Sequence, residues 1–198
     1  MKVFLFGVSS VIAACYACAD ELVSPDGAVK ASIAIEEGRI WYSLNYLEKP
    51  ALEKSEVGLD FAKPAVTNGF KVKRREKGEN HSQWRQVWGE RSIVPDQYRK
   101  LILQGDLYDV EFRVYNEGFA LRYYIRQPWQ LRSEKTSFTL PADSAAFAIA
   151  GTEDTFPQQP LAYDKIPAQS MTPFTVALAD GRYRSEERRV GKECRSRW

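Results

Sequence analysis

An all-β sandwich is the fold class this sequence predicts, on three observations. Short blocks of residues alternate large apolar with polar side chains at a period of two, as half-buried strands do. Turn residues recur between those blocks every eight to twelve positions, and no run of ten or more residues shows a capped helical period. Aromatics make up 13% of the 198 residues and sit beside Val, Ile and Thr, a composition that favours pleated strands.

The clearest element is a hairpin within LYDVEFRVYNEGFALRYYIR. Residues 110–115 and 119–125 alternate, and Asn116-Glu117-Gly118 between them accepts the positive φ values of a tight reversal. On the second arm Phe119, Leu121, Tyr123 and Ile125 share one face, and Ala120, Arg122, Tyr124 and Arg126 take the other. One oily face requires a second layer.

Nearer the start, Ser24-Pro25-Asp26-Gly27 is a turn in which Pro fixes φ, Asp bonds the backbone ahead and Gly frees the last position. Val29, Ala31, Ile33 and Ile35 form the inward row of a first strand, Glu37-Gly38 reverses the chain, and Ile40, Tyr42, Leu44 and Tyr46 form the next row. Glu48-Lys49-Pro50 is expected to end that hairpin, with a shorter strand over 57–61. The charge run from Phe70 to Lys77 reads as a solvated edge strand, because Lys and Arg discourage edge pairing and no aromatics interleave as a nucleic-acid platform requires. Further strands are expected over 98–103, 129–140 and 145–150.

Two stretches invite chemical readings. His81 stands alone on a polar turn and is given no role. HSQWRQVWGE carries Trp84, Val87 and Trp88; core or interdomain packing is the favoured reading, and an exposed sugar-stacking platform is the alternative.

Both ends differ from the body. Residues 1–19 hold Lys2 as their only charge, an apolar run, and Ala17-Cys18-Ala19 in small-x-small spacing, the pattern of an export signal too short to anchor in a membrane. Ile12-Ala13-Ala14-Cys15 also resembles a bacterial lipobox, which would place a lipid on Cys15 and the protein at a membrane. Residues 184–198, RSEERRVGKECRSRW, lack periodicity and resemble a vector- or adaptor-derived tail, so they are read as non-native. That tail holds six basic and three acidic residues, and Lys2 adds one positive charge; removing both from the stated +2 leaves −2 for residues 20–183. No charge argument for a nucleic-acid partner survives. Cys15, Cys18 and Cys194 all lie in the ends, so the body holds no cysteine, which suits a periplasm without disulfides and excludes thiolate metal sites.

Several pieces in order, SPDGAVKASI, GRIWYSLNY, SQWRQVWGERSIVPDQY, FRVYNEGFALRYYI, FTLPAD and MTPFTVALADGRY, resemble the amino-terminal domain of glycoside hydrolase family 97, the α-glucosidases and α-galactosidases of glycan utilisation. The resemblance covers nearly all of residues 20–183 and departs at Asp96-Gln97-Tyr98-Arg99, where the family continues into an Asn-Glu pair. It implies an incomplete β-supersandwich of the galactose mutarotase-like type, packed in the parent enzyme against a (β/α)₈ barrel that carries the catalytic carboxylates. It also implies an oligosaccharide substrate handled by that barrel, a calcium ion near the catalytic groups, and secretion to the periplasm. The resemblance places Glu153 in the loop Gly151-Thr152-Glu153-Asp154 as a calcium ligand, with Asp154 second, since calcium takes oxygen donors. No catalytic residue is expected within this chain. The fragment should be inactive alone, with α-glucosidase as the first expectation for the parent, and strands left open at its end should make it poorly soluble or oligomeric. The alternatives are a stand-alone carbohydrate-binding sandwich using Trp41, Trp84, Trp88 or Trp129, and an envelope structural module.

Overall fold

The computed structural model describes residues 19–63, 69–88, 92–148, 159–162, 165, 170 and 174–186. Among them are fourteen β-strands and no α-helix, in keeping with the all-β reading. A first antiparallel sheet has the order β1-β2-β3-β4, built from β1 (Asp20–Val23), β2 (Val29–Glu36), β3 (Arg39–Tyr46) and β4 (Lys49–Val57). A second has the order β6-β7-β8-β9, from β6 (Arg74–Arg85), β7 (Ile93–Gln104), β8 (Tyr108–Tyr115) and β9 (Gly118–Ile125).

The inward rows of the two sheets meet in one core. Val29, Ala31, Ile33, Ile40, Tyr42 and Leu44 from the first pack with Leu101, Leu103, Val110, Phe112 and Val114 from the second, all buried. Phe119, Leu121 and Tyr123 pack against this core from β9, as their alternation predicts. Such one-faced burial is the main force holding a sandwich together.

The turn chemistry agrees with the sequence. Ser24 is fully buried; its Oγ bonds Asp26 Oδ1 at 2.6 Å and accepts from Val29 N at 2.9 Å, while Asp26 Oδ1 accepts from Ala28 N at 3.0 Å. Glu37 and Gly38 both take positive φ, at 49° and 75°, to reverse β2 into β3.

Two boundaries differ from expectation. Leu47 and Glu48, at φ 48° and 61°, turn the chain before Pro50, which lies inside β4 opposite Asn45. Proline is tolerated there because it falls at the start of the strand, where one missing donor costs little. The strand expected over 57–61 is two elements: Gly58 separates β4 from β5 (Leu59–Lys63), and β5 pairs instead with β10 (Gln130–Glu134). Past β10 the chain stays extended along the far side of β4, through Lys135 N to Gly58 O, Ser137 N to Glu56 O and Glu53 N to Thr139 O at 2.8, 2.9 and 2.8 Å. That segment covers an edge that would otherwise present unpaired backbone.

A small fourth sheet has the order β12-β11-β13-β14, from β11 (Ala145–Phe147), β12 (Leu161–Ala162), β13 (Phe174–Ala177) and β14 (Tyr183–Glu186). Its β14 crosses the boundary between residues 183 and 184 where the sequence pattern changes. Residues 1–18, which carry the signal and lipobox readings, lie outside the described residues, as does the tail from 187.

The longest hairpin sets up the site. β6 and β7 pair over twelve positions, from Arg74↔Gln104 to Arg85↔Ile93, but β8 pairs with β7 only from Tyr98 to Gln104. Beyond Tyr98 the hairpin continues as a two-stranded arm clear of the sheet. The charge run expected to be an edge strand is that edge, with most of β6 solvent-exposed.

Candidate functional site

The second sheet turns an outer face to solvent, and its chemistry centres on Glu111. Alternation puts this residue on the polar row of β8, yet its side chain is 1% exposed. Arg113 Nε donates to its Oε1 at 2.8 Å, and Arg122 Nε and the Tyr124 hydroxyl donate to its Oε2 at 2.6 and 2.5 Å. Register explains the assembly: Arg122 lies directly opposite Glu111 across the β8–β9 hairpin, and Arg113 is two residues along the same strand. The Arg113 guanidinium also lies over the Tyr98 ring, 4.4 Å from its centroid, and that ring contacts Tyr115 at 5.1 Å. Arg122 covers Tyr124 in the same way at 4.5 Å.

Burial alone would raise the Glu111 pKa, but the bonds from Arg113, Tyr124 and Arg122 and the Arg113 charge outweigh it and bring it down to about 2. The same group works against burial to raise the Arg113 pKa. A carboxylate held ionised, with both oxygens bonded, is a poor proton donor. Its role is to lock two strands together.

Glu111 is the residue that sequence reading missed. The signal available was an acid opposite an arginine across a hairpin of fixed register, with a second arginine and a tyrosine on the same face. Elsewhere, a cleft of about 320 Å³ at the seam of β3, β4 and β5 is lined by Glu56, Asp60, Tyr108 and Lys135. Asp60 there lies 3.7 Å from Arg132.

The tryptophans separate. Trp41 lies on β3 beneath the Lys54 ammonium, 4.8 Å from its ring centroid, and Trp129 packs against the core with a buried Nε1 that has no partner among the described residues. Trp84 and Trp88 are at the distal end of the arm, 49% and 85% exposed, with Val87 and Ile93 also exposed. The core part of the core-or-interdomain reading is therefore corrected: the arm extends past β8, and among the described residues no strand of the sandwich pairs over its tip. His81 is exposed on the arm, 3.5 Å from Glu79.

Glu153 and Asp154, the expected metal ligands, lie outside the described residues. Among the described residues no group of three or more His, Cys, Asp or Glu is placed to hold a metal ion.

Residues 22–185 match the family described as Glycosyl-hydrolase 97 N-terminal. Among solved structures, the chain is similar to a glycoside hydrolase family 97 enzyme from Pseudoalteromonas sp. strain K8 in complex with acarbose, at 28% identity and a TM-score of 0.72, over 83% of this chain and 27% of that one. A variant of the same enzyme in complex with panose matches at 26% identity, with the same TM-score and coverage. A β-arabinopyranosidase, at 20% identity and a TM-score of 0.66 over 83% of this chain and 30% of that one, shares the fold. No curated protein matches. The chain thus spans about a quarter of the length of the family 97 structures it matches.

Proposed function

Since the chain belongs to the glycosyl-hydrolase 97 N-terminal family, we propose that it is the non-catalytic sandwich of a secreted enzyme that cleaves α-glucosidic or α-galactosidic bonds, and that it buttresses a (β/α)₈ barrel carrying the catalytic carboxylates. The observation behind this reading is the match over residues 22–185, to a domain that makes up about a quarter of enzymes solved with panose and acarbose. Glu111 fits a supporting role, because its carboxylate is spent on cross-strand bonds. Residues 1–19 would export the protein to the periplasm, and acylation at Cys15 would tether it to a membrane.

Within the same reading, the loop holding Glu153 and Asp154 lends oxygen donors to a calcium ion near the active site. Carboxylates suit that hard cation, but two of them fall short of its usual six to eight ligands, so the barrel would supply the rest.

The test is enzymatic. The purified chain should release no nitrophenol from p-nitrophenyl α-glucoside, whereas joining it ahead of a family 97 barrel stripped of its own amino-terminal domain should raise that barrel's activity. Turnover by the chain alone would overturn the proposal.

A further inference from the structure

The arm carries a second arrangement besides the Glu111 network. On its outer face, register places three pairs in succession: Asn80 opposite Tyr98, Ser82 opposite Asp96, and Trp84 opposite Val94. Tyr98 is buried at the base, against Tyr115 and beneath Arg113. The middle is a set of bonded polar groups: the two hydrogens of Asn80 Nδ2 are shared among Asp96 Oδ2 at 2.9 Å, the Asp96 carbonyl oxygen at 2.6 Å and Ser82 Oγ at 2.8 Å, and Ser82 Oγ donates to Asp96 Oδ2 at 3.4 Å. The end is the half-exposed indole of Trp84. Successive pairs on one face of a strand are about 7 Å apart, a distance one pyranose ring and its hydroxyls can bridge.

We infer that this outer face is a saccharide-binding site, in which the Trp84 ring stacks on the apolar face of a sugar and Asp96, Asn80 and Ser82 take its hydroxyls. Two features favour a sugar over a protein surface. Among the described residues Asp96 has no Lys or Arg hydrogen-bond partner, so burying it under an apolar protein face would desolvate a carboxylate without a cation from those residues to compensate it. Sugar hydroxyls, by contrast, donate to a carboxylate that stays partly in water. Asn80 Oδ1 and Asp96 Oδ1 accept no hydrogen bond among the described residues, register puts both residues on the face that carries Trp84, and the fixed amide lowers the ordering cost of a ligand. An indole beside oriented polar groups offers both things a pyranose needs, an apolar ring face and acceptors for its hydroxyls.

The experiment is calorimetric titration of the purified chain with panose and maltotriose, beside Trp84→Ala, Asp96→Ala and Trp41→Ala variants. Only the choice of α-linked glucose as probe rests on the family reading. Saturable binding is expected, weakened about tenfold by either arm substitution and unchanged by Trp41→Ala. Since Trp84 is exposed and Asp96 lies on the arm, both variants should keep the parent's far-UV circular dichroism. Absence of binding by either trisaccharide overturns the inference, as does binding that Trp84→Ala leaves intact. So does protection of the arm from acrylamide quenching that grows with protein concentration and ignores sugar, since that marks a protein contact. Titration reads binding and not cleavage, so its failure leaves the barrel-supporting role standing; turnover by the chain alone would remove that role and leave the arm site untouched.

Discussion

Tyr42 of β3 and Phe119 of β9 stack across the sandwich with ring centroids 5.5 Å apart and planes 9° from parallel. This contact ties the first sheet to the hairpin that dominates the sequence. Tyr42 is 1% exposed, and its hydroxyl donates to the Ser137 carbonyl at 2.9 Å, which also holds the extended segment along β4. Phe119→Ala should cost about 3 kcal/mol through lost burial and the cavity left behind. Tyr42→Phe keeps the stack and should cost about 1 kcal/mol, from one hydrogen bond. Urea denaturation followed by far-UV circular dichroism separates them; equal costs would mean that the ring pair does not carry the sheet contact.

The Glu111 network predicts a pH signature. Its carboxyl titrates at about 2 in the folded chain against an ordinary 4.5, so the folded state favours the ionised form. The stabilisation is therefore complete above about pH 4.5 and is lost as pH falls toward 2, amounting to at most about 3 kcal/mol. Glu111→Gln should lose about 2 kcal/mol at pH 7, because the half-exposed Arg122 regains water and offsets part of the penalty. The difference between parent and variant, read from urea midpoints, should shrink steadily below pH 4.5. A gap that stays constant down to pH 2.5 would show that Glu111 acts through packing alone.

Much of this fold was legible because β2, β3 and β8 each bury one face and β9 packs one against the core, and that packing imposes the alternation seen in Val29 to Ile35, Ile40 to Tyr46 and Phe119 to Tyr123. The differences share another cause. Pro50 reads as a stop because a proline's missing donor is visible in sequence, whereas its place at the start of a strand is not. Glu111 goes unnoticed because alternation reports the face and says nothing of what lies opposite on the next strand. Trp84 and Trp88 read as core or interdomain packing because tryptophan is usually buried, and only the shorter reach of β8 shows that the sandwich core is not where they pack.

Two glycines should respond differently to the same substitutions. A Cβ on Gly105 would lie 2.5 Å from Phe70 Cε2 and 2.6 Å from the Tyr108 carbonyl oxygen, so Gly105→Ala forces the core apart and should cost about 2 kcal/mol or more. Gly27 has open space around it but φ of +82°, so Gly27→Ala should cost about 1 kcal/mol from backbone strain alone. Asparagine tolerates that left-handed region, so Gly27→Asn should fold nearly as well as the parent while Gly105→Asn should not. Melting temperatures of the four variants test this ordering, and a tolerated Gly105→Asn would refute it.

Arg182 predicts how the small sheet is held to the large one. Its Nη1 and Nη2 donate to the carbonyls of Tyr46 and Pro50 at 3.3 and 3.1 Å, on either side of the β3–β4 turn, while Nε bonds the Asp180 carboxylate at 2.7 and 2.8 Å. Lys49 adds a looser contact to Asp180 at 3.7 Å. One planar fork thus reaches two carbonyls of another sheet, which the single ammonium of lysine cannot reproduce. Arg182→Lys and Arg182→Ala should both speed amide exchange in β13 and β14, by about tenfold if the contacts contribute about 1.4 kcal/mol. Exchange in β2 and β3 should stay at the parent rate, because the main core does not depend on this contact. Hydrogen exchange read by mass spectrometry gives both numbers at once. If β13 and β14 keep their protection in both variants, the small sheet is held by its own apolar contacts around Ala146 and Val176, and Arg182 is a surface ornament of the turn.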